Sequence, residues 1–203
     1  MTAYVKSVIE NTEVVNVLKD VEYMEAREEI FYDLEADVLS LEEIENMSHI
    51  EHKIYAYMER QGLELIASDQ KYSTALVNHP CYKAINIEKH LLTEENANER
   101  LFSIAHELGH FLDVKFNQNG CAFAFGEWYR QYTKAAELIA WLYGWEVLEA
   151  LGCTLKDEYF KTAKECLNTY VRNMKKVEVL FEKADEIIVK YEERAKQPME
   201  IIC

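Results

Sequence analysis

Two prolines and six glycines are spread over 203 residues. That is too few for a chain built on tight turns, so long helices with few sharp corners are expected. C-x-x-C pairs are also missing. The five cysteines (Cys81, Cys121, Cys153, Cys166 and Cys203) are odd in number and widely spaced, which argues against a disulfide framework and for free thiols in a reducing compartment. No run approaches the ~18 apolar residues that a membrane span needs. The opening Met1-Thr-Ala-Tyr-Val-Lys-Ser has no apolar stretch of the kind that secretory signals carry. A cytoplasmic protein is expected.

Positive charge is scarce as well. The chain holds 22 Lys/Arg against 37 Asp/Glu, a net charge of −15, with a pI near 4.9. Such a balance argues against direct binding to nucleic acid or to anionic membranes. Much of it is local: residues 1–62 hold fifteen Asp/Glu and five Lys/Arg, a net of −10. The simplest reading is a solubilising helix surface, and the alternative is a docking face for a basic partner.

Hydrophobic residues make up 49% of the chain, enough for a sizeable core in one domain with an appended part. Residues 3–47 lack Gly and Pro and carry Ile30, Leu34, Val38 and Leu41 at helical spacing, which predicts one or two acidic helices. A helix over about 48–60 should end before Gly62. Its Ser48-His-Ile-Glu-His52 falls one residue short of an inverted zinc motif, and His49 and His52 read as surface residues. Leu63-Glu-Leu-Ile-Ala, Tyr72-Ser-Thr-Ala-Leu-Val and Tyr82-Lys-Ala-Ile-Asn-Ile are β-prone and predict a sheet of about three strands. His79 and His90 read as loop residues. The fold class expected is α+β, mostly helical, divided into an acidic helical extension (1–47), a core (48–152) and a long C-terminal helical part (153–203).

That last part carries Phe160, Ala163, Leu167, Tyr170, Met174, Val177, Phe181, Ala184, Ile188 and Tyr191 at alternating spacings of three and four. One long helix, or two in tandem, would present this seam to the rest of the chain or, as a coiled coil, to a second copy. A monomer and a coiled-coil dimer both fit.

The chemistry sits in Ile104-Ala-His-Glu-Leu-Gly-His-Phe-Leu112, which contains H-E-x-x-H. Thr93 followed by Glu94 and Glu95 is a good start for its helix, which should stop before Asn117. On a helix His106 and His110 lie ~40° apart and Glu107 ~60° beyond His110. Two imidazoles can then hold one zinc ion while the carboxylate serves as a general base. Leu101, Ala105, Leu108 and Leu112 lie opposite and can pack on a core.

A third ligand is needed. In a helix over about 132–151, Glu137 shares a face with Ala140, Trp141 and Gly144 and is flanked by apolar residues. It is the candidate, with Glu127 the runner-up. Ala140 and Gly144 are small enough to let two helices approach closely. Asp113, one turn after His110, would either orient a ligand or lie at the surface. Tyr129, Arg130, Tyr132 and Tyr143 are candidates to stabilise an oxyanion. Asp113 and Phe116 stand where the extended motif H-E-x-x-H-x-x-G-x-x-H needs Gly and His, which excludes that class.

The strand at 82–87, the lead Glu99-Arg-Leu-Phe-Ser-Ile-Ala into His106-Glu-Leu-Gly-His110, and Glu137-Leu-Ile-Ala-Trp-Leu together resemble the ImmA/IrrE family of metallo-endopeptidases. The resemblance covers about residues 49–150. It implies a zincin-like core with zinc on His106, His110 and Glu137, and Glu107 as the catalytic base. It also implies a cytoplasmic protease of a phage or mobile element that cleaves a helix-turn-helix repressor. An acidic chain would suit a basic protein substrate. The competing expectation is a non-catalytic acidic module that binds a basic partner on the same scaffold.

Overall fold

The computed structural model describes residues 37–71, 73–76, 83–116, 128–186 and 189, and of 37–38, 74–76, 114–116 and 128–135 the backbone only. Helix α1 (His49–Arg60) begins where the sequence places it. Ser48 Oγ accepts from the Glu51 amide at 3.2 Å and Glu51 Oε2 accepts from the Ser48 amide at 2.7 Å, a reciprocal cap. The helix ends on Gly62 at φ 65. Its amide and that of Leu63 turn back to the carbonyls of Glu59 and Met58 at 3.0 and 2.9 Å. His49 and His52 are exposed.

The sheet has four strands among the described residues, in the order β1-β2-β4-β3. The three expected strands are present as β2 (Glu64–Ser68), β3 (Thr74–Leu76) and β4 (Ala84–Glu88). β2 and β4 run parallel, with Glu64 opposite Ala84 and Ser68 opposite Glu88, while β3 pairs antiparallel with β4. The two central strands are buried over almost their whole length, with Asn86 as a buried polar residue in β4.

The fourth strand corrects the sequence reading of residues 3–47 as helical. Asp37–Val38 form β1, antiparallel to β2, with Asp37 opposite Ala67 and Val38 opposite Ile66. Leu41–Glu43 make only a 3-10 turn, and Leu41 is largely exposed. Two residues are too short to show strand periodicity. The helical spacing through Val38 and Leu41 was an accident of a short apolar count, overridden by pairing with β2. The expected helices before residue 37 lie outside the described residues.

Thr93 heads a 3-10 turn (Glu94–Asn96) that leads into helix α2 (Ala97–Phe116), and the expected stop before Asn117 lies outside the described residues. Helix α3 (Trp128–Ala150) starts a turn earlier than expected. Leu101, Phe102, Ile104, Leu108 and Leu112 of α2 join Leu138, Ile139, Trp145 and Leu148 of α3 in one hydrophobic core. That core also takes in Ile54 and Met58 of α1 and Ile85 and Ile87 of β4. Burying each such side chain contributes about 1.5–3 kcal/mol.

Among the described residues the C-terminal seam is divided between helices α4 (Lys156–Val171) and α5 (Met174–Glu182), so the continuous alternative is corrected, and Ile188 and Tyr191 lie outside those residues. Arg172 turns left-handed at φ 53, and Asn173 then caps α5 by accepting from the Lys176 amide at 3.2 Å. The chain reverses there. Phe160 near the start of α4 meets Phe181 near the end of α5, with ring centroids 5.7 Å apart. Ala163, Leu167 and Val177 are buried within the same chain, whereas Tyr170 and Met174, at the reversal, are not. No helix among the described residues is long and apolar enough to cross a membrane.

Candidate metal centre

Two glycines allow the site to form. A Cβ on Gly109 of α2 would run into the main-chain oxygen of Ala140 on α3. A Cβ on Gly144 of α3 would meet the Tyr159 hydroxyl and the main-chain oxygen of Ala105 on α2. Each helix thus lays its backbone against the other where its neighbour has no side chain. The sequence marked Ala140 and Gly144 for this contact and missed Gly109, whose place inside the metal motif hid its packing role.

The close crossing aims Glu137 of α3 at both histidines of α2. Glu137 Oε2 lies 3.3 Å from His106 Nε2, and its Oε1 lies 3.7 Å from His110 Nε2. One donor atom from each of His106, His110 and Glu137 falls within 4.8 Å of the other two. Zinc bonds of about 2.0–2.1 Å at tetrahedral angles put neighbouring ligand atoms about 3.3–3.5 Å apart. Charge-assisted hydrogen bonds run shorter, about 2.7–2.9 Å. With the three donor atoms all within 4.8 Å of one another, the group could hold a metal ion.

The electrostatics agree with that reading. Burial would raise the Glu137 carboxyl, but His106 and His110 outweigh it and hold it well below the usual carboxylate range. Burial would lower His110, yet Glu137, then Glu107 and Asp113, push it up to about 9. Negative charge from Glu137, Glu107 and Asp113 gathers around the two imidazoles, a setting that could hold a cation.

Glu107 is buried at 5% exposure and brings Oε1 to 3.9 Å from His106 Nε2. It therefore stands beside the same point without belonging to the three-ligand set. His110 and Glu137 retain more exposure than His106, with side chains 23%, 17% and 10% exposed, so the site opens on their side. Leu101, Ala105, Leu108 and Leu112 are buried on the opposite face of α2, as their spacing predicts.

Several expectations change. Asp113 is buried, not a surface residue, and its charge helps to raise His110. Tyr143 is buried in the hydrophobic core, on a face of α3 turned ~120° from Glu137, so it is unsuited to stabilise an oxyanion. Glu127 and the side chains of Tyr129, Arg130 and Tyr132 lie outside the described residues. His90 is exposed in a 3-10 turn. Cys153 and Cys166 are free thiols, and the other three cysteines fall outside the described part.

Sequence reasoning overlooked the Glu51–Arg100 pair. Arg100 is fully buried one and a half turns before His106, and its Nε donates to Glu51 Oε1 at 2.7 Å. Its Nη1 donates to the carbonyls of Leu91 and Thr93 at 2.9 and 3.1 Å, and its Nη2 to that of Glu45 at 3.1 Å. Glu51, which looked like part of a failed zinc motif, instead ties α1 to the start of α2. No sequence signal linked residues 49 positions apart.

No family model, curated protein or solved structure matches the chain.

Proposed function

We propose that this protein is a zinc-dependent endopeptidase, with His106, His110 and Glu137 holding the metal and Glu107 acting as general base. The observation that carries the reading is the convergence of three ligand atoms within 4.8 Å of one another, next to a buried carboxylate on the neighbouring residue. A divalent cation at that point supplies Lewis acidity, polarising a peptide carbonyl and making a water molecule acidic enough to lose its proton near neutral pH.

The protein's own groups do the rest. His106 and His110 bind as neutral imidazoles, and Glu137 adds a negative charge that favours a dication over a proton. Glu107 accepts the proton of the attacking water and passes it to the leaving amine, so that the carbonyl carbon gains an oxygen as the C–N bond breaks. Its burial keeps it close to the reacting atoms and away from competing solvent.

The sequence resemblance to ImmA/IrrE metallo-endopeptidases supports the same reaction and points to a helix-turn-helix repressor as substrate. The chain's net charge of −15 suits a basic protein of that kind. A cytoplasmic setting follows from the same resemblance and from the free thiols.

Two variants test the assignment. Glu107→Gln is expected to retain a full equivalent of zinc by elemental analysis while losing cleavage of a co-expressed repressor by at least ~100-fold. Glu137→Ala is expected to weaken zinc by more than the ~10–100-fold typical of a lost outer-shell partner. Wild-type cleavage by Glu107→Gln removes the general-base role. Capture of a basic partner without cleavage, unaffected by chelation, replaces the enzyme with a binding module.

A further inference from the structure

We propose that Trp141 is a positioning residue for His106: it holds the imidazole by stacking, in place of the hydrogen bond that usually orients a metal-bound histidine. The proposal rests on the reading of His106, His110 and Glu137 as a metal centre and goes one layer outward. A histidine that binds a metal through one ring nitrogen ordinarily donates the other N–H to a carboxylate or carbonyl, which fixes the ring plane. His106 points Nε2 at Glu137, but its Nδ1 is buried and finds no hydrogen-bond partner among the described residues. Something else must set the plane.

Trp141 does so. Its ring lies against the His106 imidazole with centroids 4.2 Å apart and planes only 23° from parallel. Trp141 follows Glu137 by one turn of α3, so the carboxylate and the stacking surface come from one rigid face. The indole is itself held. Tyr159 of α4 meets its ring edge-on at 5.2 Å and donates its hydroxyl to the Trp141 carbonyl at 2.9 Å. Phe102, one turn before His106 on α2, also meets the Tyr159 ring edge-on at 5.2 Å and 88°. The hydroxyl of Tyr159 fits because Gly144 has no side chain.

The arrangement also favours the loaded state. A metal-bound imidazole is electron-poor, and the indole face is electron-rich, so their attraction grows when the cation binds. A purely steric wedge would not discriminate in this way. Helix α4 thus reaches the metal centre through two aromatic rings, although it lies beyond the residues that resemble a peptidase.

The test is zinc affinity of the metal-stripped full chain, measured by competition with a chromophoric chelator. Trp141→Leu is expected to bind zinc ~10-fold or more weakly, and Trp141→Phe, which keeps a flat aromatic face, to stay within ~3-fold of wild type. The visible absorption bands of the cobalt-loaded protein are expected to shift in Trp141→Leu and not in Trp141→Phe. Leu148→Ala, a core deletion elsewhere on α3, is expected to lower the melting temperature without altering zinc affinity. Equal zinc affinity in wild type and Trp141→Leu overturns the proposal, as does an equal loss in the Leu and Phe variants or in Leu148→Ala. Should Trp141→Leu fail to fold, tryptophan of increasing fluorination placed at position 141 keeps the shape and drains charge from the ring face. Affinity is then expected to fall stepwise, about 3-fold in all, and a flat series overturns the proposal. If wild type itself binds no zinc, the metal centre fails and this inference with it. If wild type binds and the variants match it, this inference alone fails.

Discussion

Single side chains carry most of the unusual energetics here, and Arg100 is the clearest case. Its guanidinium is fully buried but donates to one carboxylate and three carbonyls, four of its five N–H directions. A buried pair of this kind costs a large desolvation that the partners must offset, and removing one partner exposes that cost. Arg100→Met is therefore expected to destabilise the protein by about 3–5 kcal/mol in denaturant melts. The double variant Arg100→Met with Glu51→Leu should recover much of that loss, because no unpaired charge remains. A double variant no more stable than the single one would mean that the pair contributes shape rather than charge balance. His106, Glu107 and His110 were legible from their spacing, since helical geometry alone brings them onto one arc. Trp141 was half legible: it shares a face with Glu137, but nothing in a one-dimensional string says that an imidazole lies against that face.

The helices are held by what they lack as much as by what they carry. Gly109 and Gly144 lie on opposite sides of the α2–α3 crossing, each where the other helix presents backbone. Gly144→Ala would gain about 1 kcal/mol of helix propensity, yet its methyl has no room. A net loss of about 1–3 kcal/mol is expected from overpacking, together with weaker zinc binding as Glu137 is pushed away from the histidines. Circular-dichroism melts with and without zinc measure both effects, and a more stable Gly144→Ala would show the crossing to be looser than described. The ends of α1 were read correctly because caps and breakers are local chemistry, whereas the Thr93 hydroxyl makes no cap hydrogen bond and α2 begins at Ala97 after a 3-10 turn. The break between α4 and α5 was not fixed by any Gly or Pro. It depends on Arg172 adopting a left-handed conformation, at a cost of roughly 1–2 kcal/mol, which the contacts of the folded-back pair offset.

The protein as one cooperative unit should respond to metal and to alkali. A cation bridging α2 and α3 binds only the folded chain, so zinc at 100 times its dissociation constant adds about 2.7 kcal/mol. For a chain of 203 residues that is a rise of roughly 5–10 °C in melting temperature. Glu137→Ala should abolish the rise. The alkaline limit follows from buried phenols. Burial raises Tyr57 from 10.0 to about 12, with Arg60 opposing. Burial, and then the Glu51 charge, raise Tyr55 against the opposing Arg100. Tyr159 is raised well above 10.0, chiefly by burial. In each case the folded value exceeds the unfolded one, so the neutral phenol's contribution is complete below pH 10 and is lost as pH climbs towards 12 and beyond. Cooperative unfolding in that window, tracked by phenolate absorbance, is expected, and stability flat to pH 12 would contradict it. Helix content, the three main strands and the two-histidine motif were already decided by composition, periodicity and spacing, because those depend on residues close in the chain. The convergence of Glu137 on the two histidines, the stacking of Trp141, the burial of Asp113 and the pairing of Glu51 with Arg100 were settled by how the elements pack. Such contacts join residues dozens of positions apart, and no local pattern records which face of one helix another will meet.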